Sequence, residues 1–149
     1  MEFATDAAST LSVLKHVLEV EGQEFDNVVL LQPTNPLRPK NLLKEAFNKF
    51  KQGNFDNLIT VSSNHQKFGK ITDGKYVPYN YSMGQRSQDL DPLYFENGLL
   101  YIYKAKIIIR GNALGHNNFP FIVDHPFSNV DIDTEEDFEY AKFLLNKYF

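Results

Sequence analysis

The sequence predicts an α/β fold with a parallel sheet, and three observations predict it. Residues 27–32 (NVVLLQ) and 57–62 (NLITVS) are short, nearly continuous apolar runs, as expected of strands buried on both faces. Between them Leu42, Leu43, Ala46, Phe47 and Phe50 recur at helical spacing. Strand, helix and strand in that order make a βαβ unit, which implies parallel strands and a right-handed crossover.

The remaining elements follow in chain order. Ser9 or Thr10 can cap a first helix carrying Leu11, Leu14, Val17 and Leu18 on one face, with Gly22 as its stop. The second helix is expected from about Pro39 to Gln52, ended by Gly53. Residues 67–79 read as a hairpin, KFGKI and KYVPY joined by an Asp73-Gly74 turn. Residues 80–92 are polar and irregular. The section 64–95 therefore reads as an excursion from the parallel sheet, of the kind that forms a lid or an interface. Residues 99–103 return to a strand, 104–110 make a short helix stopped by Gly111, and 120–123 a further strand. Thr134 opens the last helix, with Asp137 as capping-box partner and Phe138, Ala141, Leu145 and Tyr148 as its buried side.

Composition bounds the function. The 149 residues are expected to form one domain with a real core. A net charge of −4 with no Lys/Arg cluster argues against nonspecific nucleic-acid binding. Phosphates would then be met by a few placed cations or a metal. Cysteine is absent, which removes thiol chemistry and suits a cytoplasmic protein. No run approaches the ~18 apolar residues of a membrane span, and no signal-peptide pattern opens the chain.

The densest chemical signal is Val130-Asp131-Ile132-Asp133-Thr134-Glu135-Glu136-Asp137-Phe138. In an extended segment Asp131 and Asp133 share one side while Ile132 turns to the core. Two carboxylates that close repel unless a cation lies between them, and Mg²⁺, with Mn²⁺ as substitute, takes such oxygen ligands alongside waters and phosphates. The same residues also read as a plain helix start capped by Asp133 or Thr134. A second candidate is Gln32-Pro33-Thr34-Asn35-Pro36-Leu37-Arg38, at the carboxyl end of a strand, where open α/β sheets bind ligands. It also reads as a stiff connection without a ligand. Asn97-Gly98 either marks a strand start or lets a ligand approach the backbone. Lys67, Lys70, Arg86 and Arg110 are the cations available to an anion, and His16, His65, His116 and His125 show no metal-ligand spacing.

Taken together and in order, LLQPTNPLR, VSS, ENGLLYIY and VDIDTEEDFEYA resemble the acylneuraminate cytidylyltransferase family, and EFATDAAST resembles the segment before that family's first long helix. The resemblance implies a Rossmann-like fold of the nucleotide-diphospho-sugar transferase type, with a parallel or mixed sheet and a small dimerisation excursion. It implies transfer of CMP from CTP to a nine-carbon sugar acid (sialic acid or a relative) with Mg²⁺, in a homodimer. The metal-binding aspartates fall on Asp131 and Asp133. Gln32, Asn97 and Tyr101 fall at the sugar acid, and Ala8 and Thr10 at the nucleotide. Lys67 and Arg86 fall where the family reaches from the excursion into the partner's site, with Lys70 as an alternative to Lys67. Asn35 stands where the family usually has serine. Against that pattern the chain starts about two βα units late, without the Gly- and Lys-containing phosphate loop. Transfer by this chain is therefore expected to be impaired, the alternative being a non-catalytic sugar- or metal-binding, dimerising remnant.

Overall fold

A computed structural model describes residues 8–21 and 24–149. The expected stop at Gly22 and most of the EFATDAAST segment lie outside the described residues. The elements run α1 (Thr10–Glu21), β1 (Asn27–Leu30), α2 (Leu42–Gln52), β2 (Asn57–Asn64), β3 (Gly69–Thr72), β4 (Lys75–Pro78), β5 (Leu93–Lys104), α3 (Ala105–Ile109), β6 (Asn118–Ile122) and α4 (Glu135–Tyr148). No helix among them is long and apolar enough to cross a membrane.

The main sheet has the order β1-β5-β2-β6. β2 and β6 pair in parallel, but β1 and β2 both pair antiparallel with β5. The two strands of the expected βαβ unit thus point the same way without touching, and the sheet is mixed rather than parallel. The reason is hydrophobic: Leu99, Leu100 and Ile102 of β5 are fully buried. The returning chain offers a strand apolar on both faces, and the place that buries both is between β1 and β2.

One face of the sheet is covered by α2. Leu42, Ala46 and Phe50 pack with Leu58, Leu99, Leu100, Ile102 and Val123, each large side chain contributing about 1.5–3 kcal/mol by leaving water. A second cluster joins Leu37, Phe127 and Val130 to Ala141 and Leu144 of α4, with Ile132 packed against it. It ties the loop after β1 to the segment before α4. The helix stripes differ in part from expectation. On α2, Leu43 is exposed; on α4 the buried residues are Ala141 and Leu144, while Phe138, Leu145 and Tyr148 are exposed. Periodicity cannot tell which of two adjacent rows meets a neighbour, because that depends on the helix's rotation against its support. α1 lies against α3, buries no residue fully, and leaves Val17 exposed.

The turn and cap chemistry follows the sequence. Asp73 and Gly74 both have positive φ, 50° and 72°, as a type I′ hairpin requires. Ser9 Oγ accepts from the Ser12 N–H at 3.2 Å at the start of α1. Thr134 and Asp137 form the reciprocal capping box of α4. Hydrogen bonds from the Thr134 hydroxyl, foremost, and from the Asp133 and Thr134 N–H groups hold the Asp137 carboxyl below the usual aspartate range.

Candidate functional site

The loop after β1 is stitched into place from three sides. Arg38 Nε donates to the Leu99 carbonyl at 2.7 Å and Nη2 to the Gln32 carbonyl at 3.0 Å. The Asn35 N–H donates to the same Gln32 carbonyl at 3.2 Å, and the Ile132 N–H donates to the Thr34 carbonyl at 2.8 Å. Pro33, Pro36 and Pro39 stiffen the segment between these anchors. Burial pulls the Arg38 guanidinium below its ordinary pKa, yet arginine remains charged in proteins. Its role is to fasten the loop to β5.

β5 is broken opposite Thr60. The register runs Ile59 with Tyr101 and then Val61 with Glu96, so residues 97–100 of β5 face Thr60 alone. The Thr60 hydroxyl spans the gap: it donates to the Leu100 carbonyl at 3.0 Å and accepts from the Leu100 N–H at 3.0 Å. Asn97 is held as firmly. Its Nδ2 donates to Ser62 Oγ at 2.9 Å and its Oδ1 accepts from the Leu99 N–H at 3.2 Å. Gly98, at φ +71°, lies inside the strand rather than at its start. A Cβ there would sit 2.5 Å from Gln32 Oε1 and 2.9 Å from Asn35 Nδ2. The glycine lets these two amides press against the backbone of β5.

These features enclose a cleft of about 370 Å³, lined among others by Gln32, Asn35, Gly98, Tyr101, Asn129 and Asp131. Residues 96 positions apart meet in it: Asn35 Nδ2 donates to Asp131 Oδ1 at 3.1 Å. Tyr101 donates its hydroxyl to Glu96 Oε2 at 3.3 Å. Burial first, then the charge of Glu96, pushes the Tyr101 phenol up to about 12, so it stays a neutral donor. Glu96 and Asp131 are the charged residues of the lining; no lysine or arginine belongs to it. An anion bound there therefore needs a cation from elsewhere.

The candidates named from the sequence divide accordingly. Gln32, Tyr101 and Asp131 line the cleft as expected. Asn97 lines it too, but both ends of its amide are committed to holding the broken strand. Asp133 is exposed, as is Asp131, with Ile132 half-buried between them, which is the expected alternation. Asp133 is not part of the cleft wall, and its N–H donates to Asp137 Oδ2 at 3.2 Å. Ala8 and Thr10, at the start of α1, do not line the cleft. Lys67 donates to the Gln85 carbonyl and sits over the Tyr81 ring. Arg86 forms a two-pronged pair with Asp89 at 2.8 and 3.0 Å. Lys70 lies over Tyr79, and Arg110 ends α3. The site residues that sequence reasoning passed over are Thr60, Glu96 and Asn129; of these Glu96, beside the Asn-Gly pair, carried the clearest signal.

Among the described residues, no group of three or more His, Asp or Glu side chains could hold a metal alone. The donor set still fits Mg²⁺ or Mn²⁺, which takes one or two carboxylates and completes its shell with waters and phosphates.

No family model matches the chain. Among curated proteins, N-acylneuraminate cytidylyltransferase of Streptococcus agalactiae serotype III is 32% identical over 145 residues, covering 92% of this chain and 34% of that protein. The post-translational flagellin modification protein B of Campylobacter coli is 29% identical over 153 residues, covering 97% of this chain and 65% of that one. Pseudaminic acid cytidylyltransferase of Campylobacter jejuni subsp. jejuni serotype O:23/36 is 27% identical over 147 residues, covering 93% and 63%. The chain is related to the acylneuraminate cytidylyltransferases. It spans about a third of the length of the streptococcal enzyme and less than two thirds of the Campylobacter proteins. The fold agrees: a 4-diphosphocytidyl-2C-methyl-D-erythritol synthase from Anaerococcus prevotii superposes with a TM-score of 0.66 at 14% identity, covering 94% of this chain and 68% of that one. At that identity the likeness concerns fold alone. The expected nucleotidyltransferase-type α/β architecture is thereby met, with a mixed sheet.

Proposed function

We propose that the cleft serves cytidylyl transfer to a nine-carbon sugar acid of the sialic or pseudaminic type. The observation that carries this reading is the meeting of Gln32, Tyr101 and Asp131 around Gly98, in a chain related to enzymes of that chemistry. In the reaction the sugar's anomeric oxygen forms a bond to the CTP α-phosphorus, the α–β phosphoanhydride breaks, and pyrophosphate leaves. Gln32 offers an amide that both donates and accepts, and Tyr101 a phenol that stays protonated, so both can hydrogen-bond the oxygens of a sugar acid. Asp131, with Asp133 beside it, would hold Mg²⁺ or Mn²⁺. Such an ion, when bound, supplies charge neutralisation at the phosphates. The lack of cysteine goes with a cytoplasmic setting.

The missing positive charge points to a second copy. Among the described residues the β3–β4 hairpin pairs only with itself, and both its strands are exposed; Ile71 is 73% exposed, and nearby Tyr79 and Met83 are 66% and 77%. An isolated two-stranded hairpin is marginal in water. We propose that the excursion covers these residues in a homodimer, and that Lys67 or Arg86 then meets the sugar carboxylate in the partner's cleft. Sedimentation equilibrium at micromolar concentration is expected to give twice 17.2 kDa or more. A stable 17.2 kDa monomer would refute the dimer.

Pyrophosphate release with CTP, Mg²⁺ and N-acetylneuraminate decides between enzyme and remnant. A rate near background is the expected result for this chain, whose cleft contributes no cation to a triphosphate. Turnover of ~1 per second or more, an ordinary enzyme rate, would show that it needs none.

A further inference from the structure

We infer that Asn35 is a positioning residue for the cation site: its amide holds Asp131 in the geometry that receives Mg²⁺ or Mn²⁺. The inference rests on the cation reading of Asp131 proposed above. Asn35 is 3% exposed, wedged between the backbone of Gly98 and Asp131. Its Nδ2 donates to Asp131 Oδ1 at 3.1 Å. Its own Oδ1 is buried and finds no partner among the described residues. A buried amide with half its hydrogen-bonding capacity unmet is a poor choice for stability, since an unmade buried bond is a cost that an apolar residue of the same shape avoids. What the amide does achieve is the link to Asp131.

That link matters because Asp131 is otherwise an exposed side chain on an irregular segment. Such a carboxylate samples several rotamers, and a cation that it binds must first select one. An N–H donor fixed by Gly98, by the Arg38-stitched loop and by burial selects it in advance, which is how groups behind a ligand raise metal affinity. A serine at position 35 would have its hydroxyl one bond from Cβ and could not span the distance that the asparagine amide spans to Asp131.

The test compares wild type, Asp131→Asn, Asn35→Leu and Asn35→Ser by Mn²⁺ titration followed by electron paramagnetic resonance, which reads weak binding without nucleotide. Thermal melting is measured on the same samples. Asp131→Asn is expected to abolish binding. Both Asn35 variants are expected to weaken it about tenfold or more, as loss of a group orienting a ligand does. The melting temperature of Asn35→Leu should stay level or rise, because the orphaned oxygen is gone. A purely structural asparagine would give the opposite: lower melting and unchanged affinity. Loss of binding in Asp131→Asn with wild-type affinity in both Asn35 variants would overturn the inference and leave the cation reading standing. Equal binding by wild type and Asp131→Asn would overturn the cation reading, and the inference with it. Lowered melting of both Asn35 variants in step with lowered affinity would also overturn it, by assigning Asn35 to the core.

Discussion

Gly98→Ala is expected to lower stability by about 2–5 kcal/mol. The left-handed conformation at φ +71° costs a Cβ-bearing residue roughly 1–2 kcal/mol. The new methyl would also lie 2.5 Å from Gln32 Oε1 and 2.9 Å from Asn35 Nδ2. Gln32 can swing its amide aside, but Asn35 is buried and held, so overpacking adds roughly 1–3 kcal/mol. For a chain of this size that is a fall in melting temperature of about 5–15 °C. The same displacement breaks the line from Asn35 to Asp131, so Mn²⁺ affinity should fall with it. Differential scanning calorimetry reads the first effect. A melting point within about 1 °C of wild type would mean that the broken strand is not shaped as described.

Thr60→Val tests the same break from the other strand, and should cost about 2–4 kcal/mol because two buried backbone groups lose their partner. Both the N–H and the carbonyl of Leu100 rely on the Thr60 hydroxyl, and Thr60 is fully buried. Thr60→Ser keeps the hydroxyl and loses one methyl group, a change of about 1 kcal/mol. Urea denaturation should therefore rank wild type, then Ser, then Val. Hydrophobic burial alone ranks Val above Ser, so that order would show that the hydroxyl is not what bridges the strands.

The two cases also mark where sequence reading stops. Asp73-Gly74, Thr134 with Asp137, and Gly111 were legible because each acts within a few residues of itself: a positive φ, a cap, a helix stop. Strand 57–62 was legible because burial on both faces leaves a continuous apolar run; 27–32 carries the same kind of run but forms the edge strand β1, with Val29 and Leu31 exposed, so its expected burial on both faces is not met. Gln32, Tyr101 and Asp131 were legible as parts of motifs, and they do share a cleft. The partner of each was not. Nothing local to Asn97-Gly98 says that four residues of β5 will face Thr60, since a register break is decided by two strands at once.

The sequence by itself determined an α/β chain, its turns and caps, and a carboxylate pair alternating about Ile132, because these depend on short-range sterics and on the periods of helix and strand. Tertiary structure alone decided that β5 runs antiparallel between β1 and β2, that α4 buries Leu144 rather than Leu145, and that Asp131 answers to Asn35. Those outcomes depend on which surfaces find each other across long separations. An element's own apolar pattern states how much it must bury, and only its neighbours state against what.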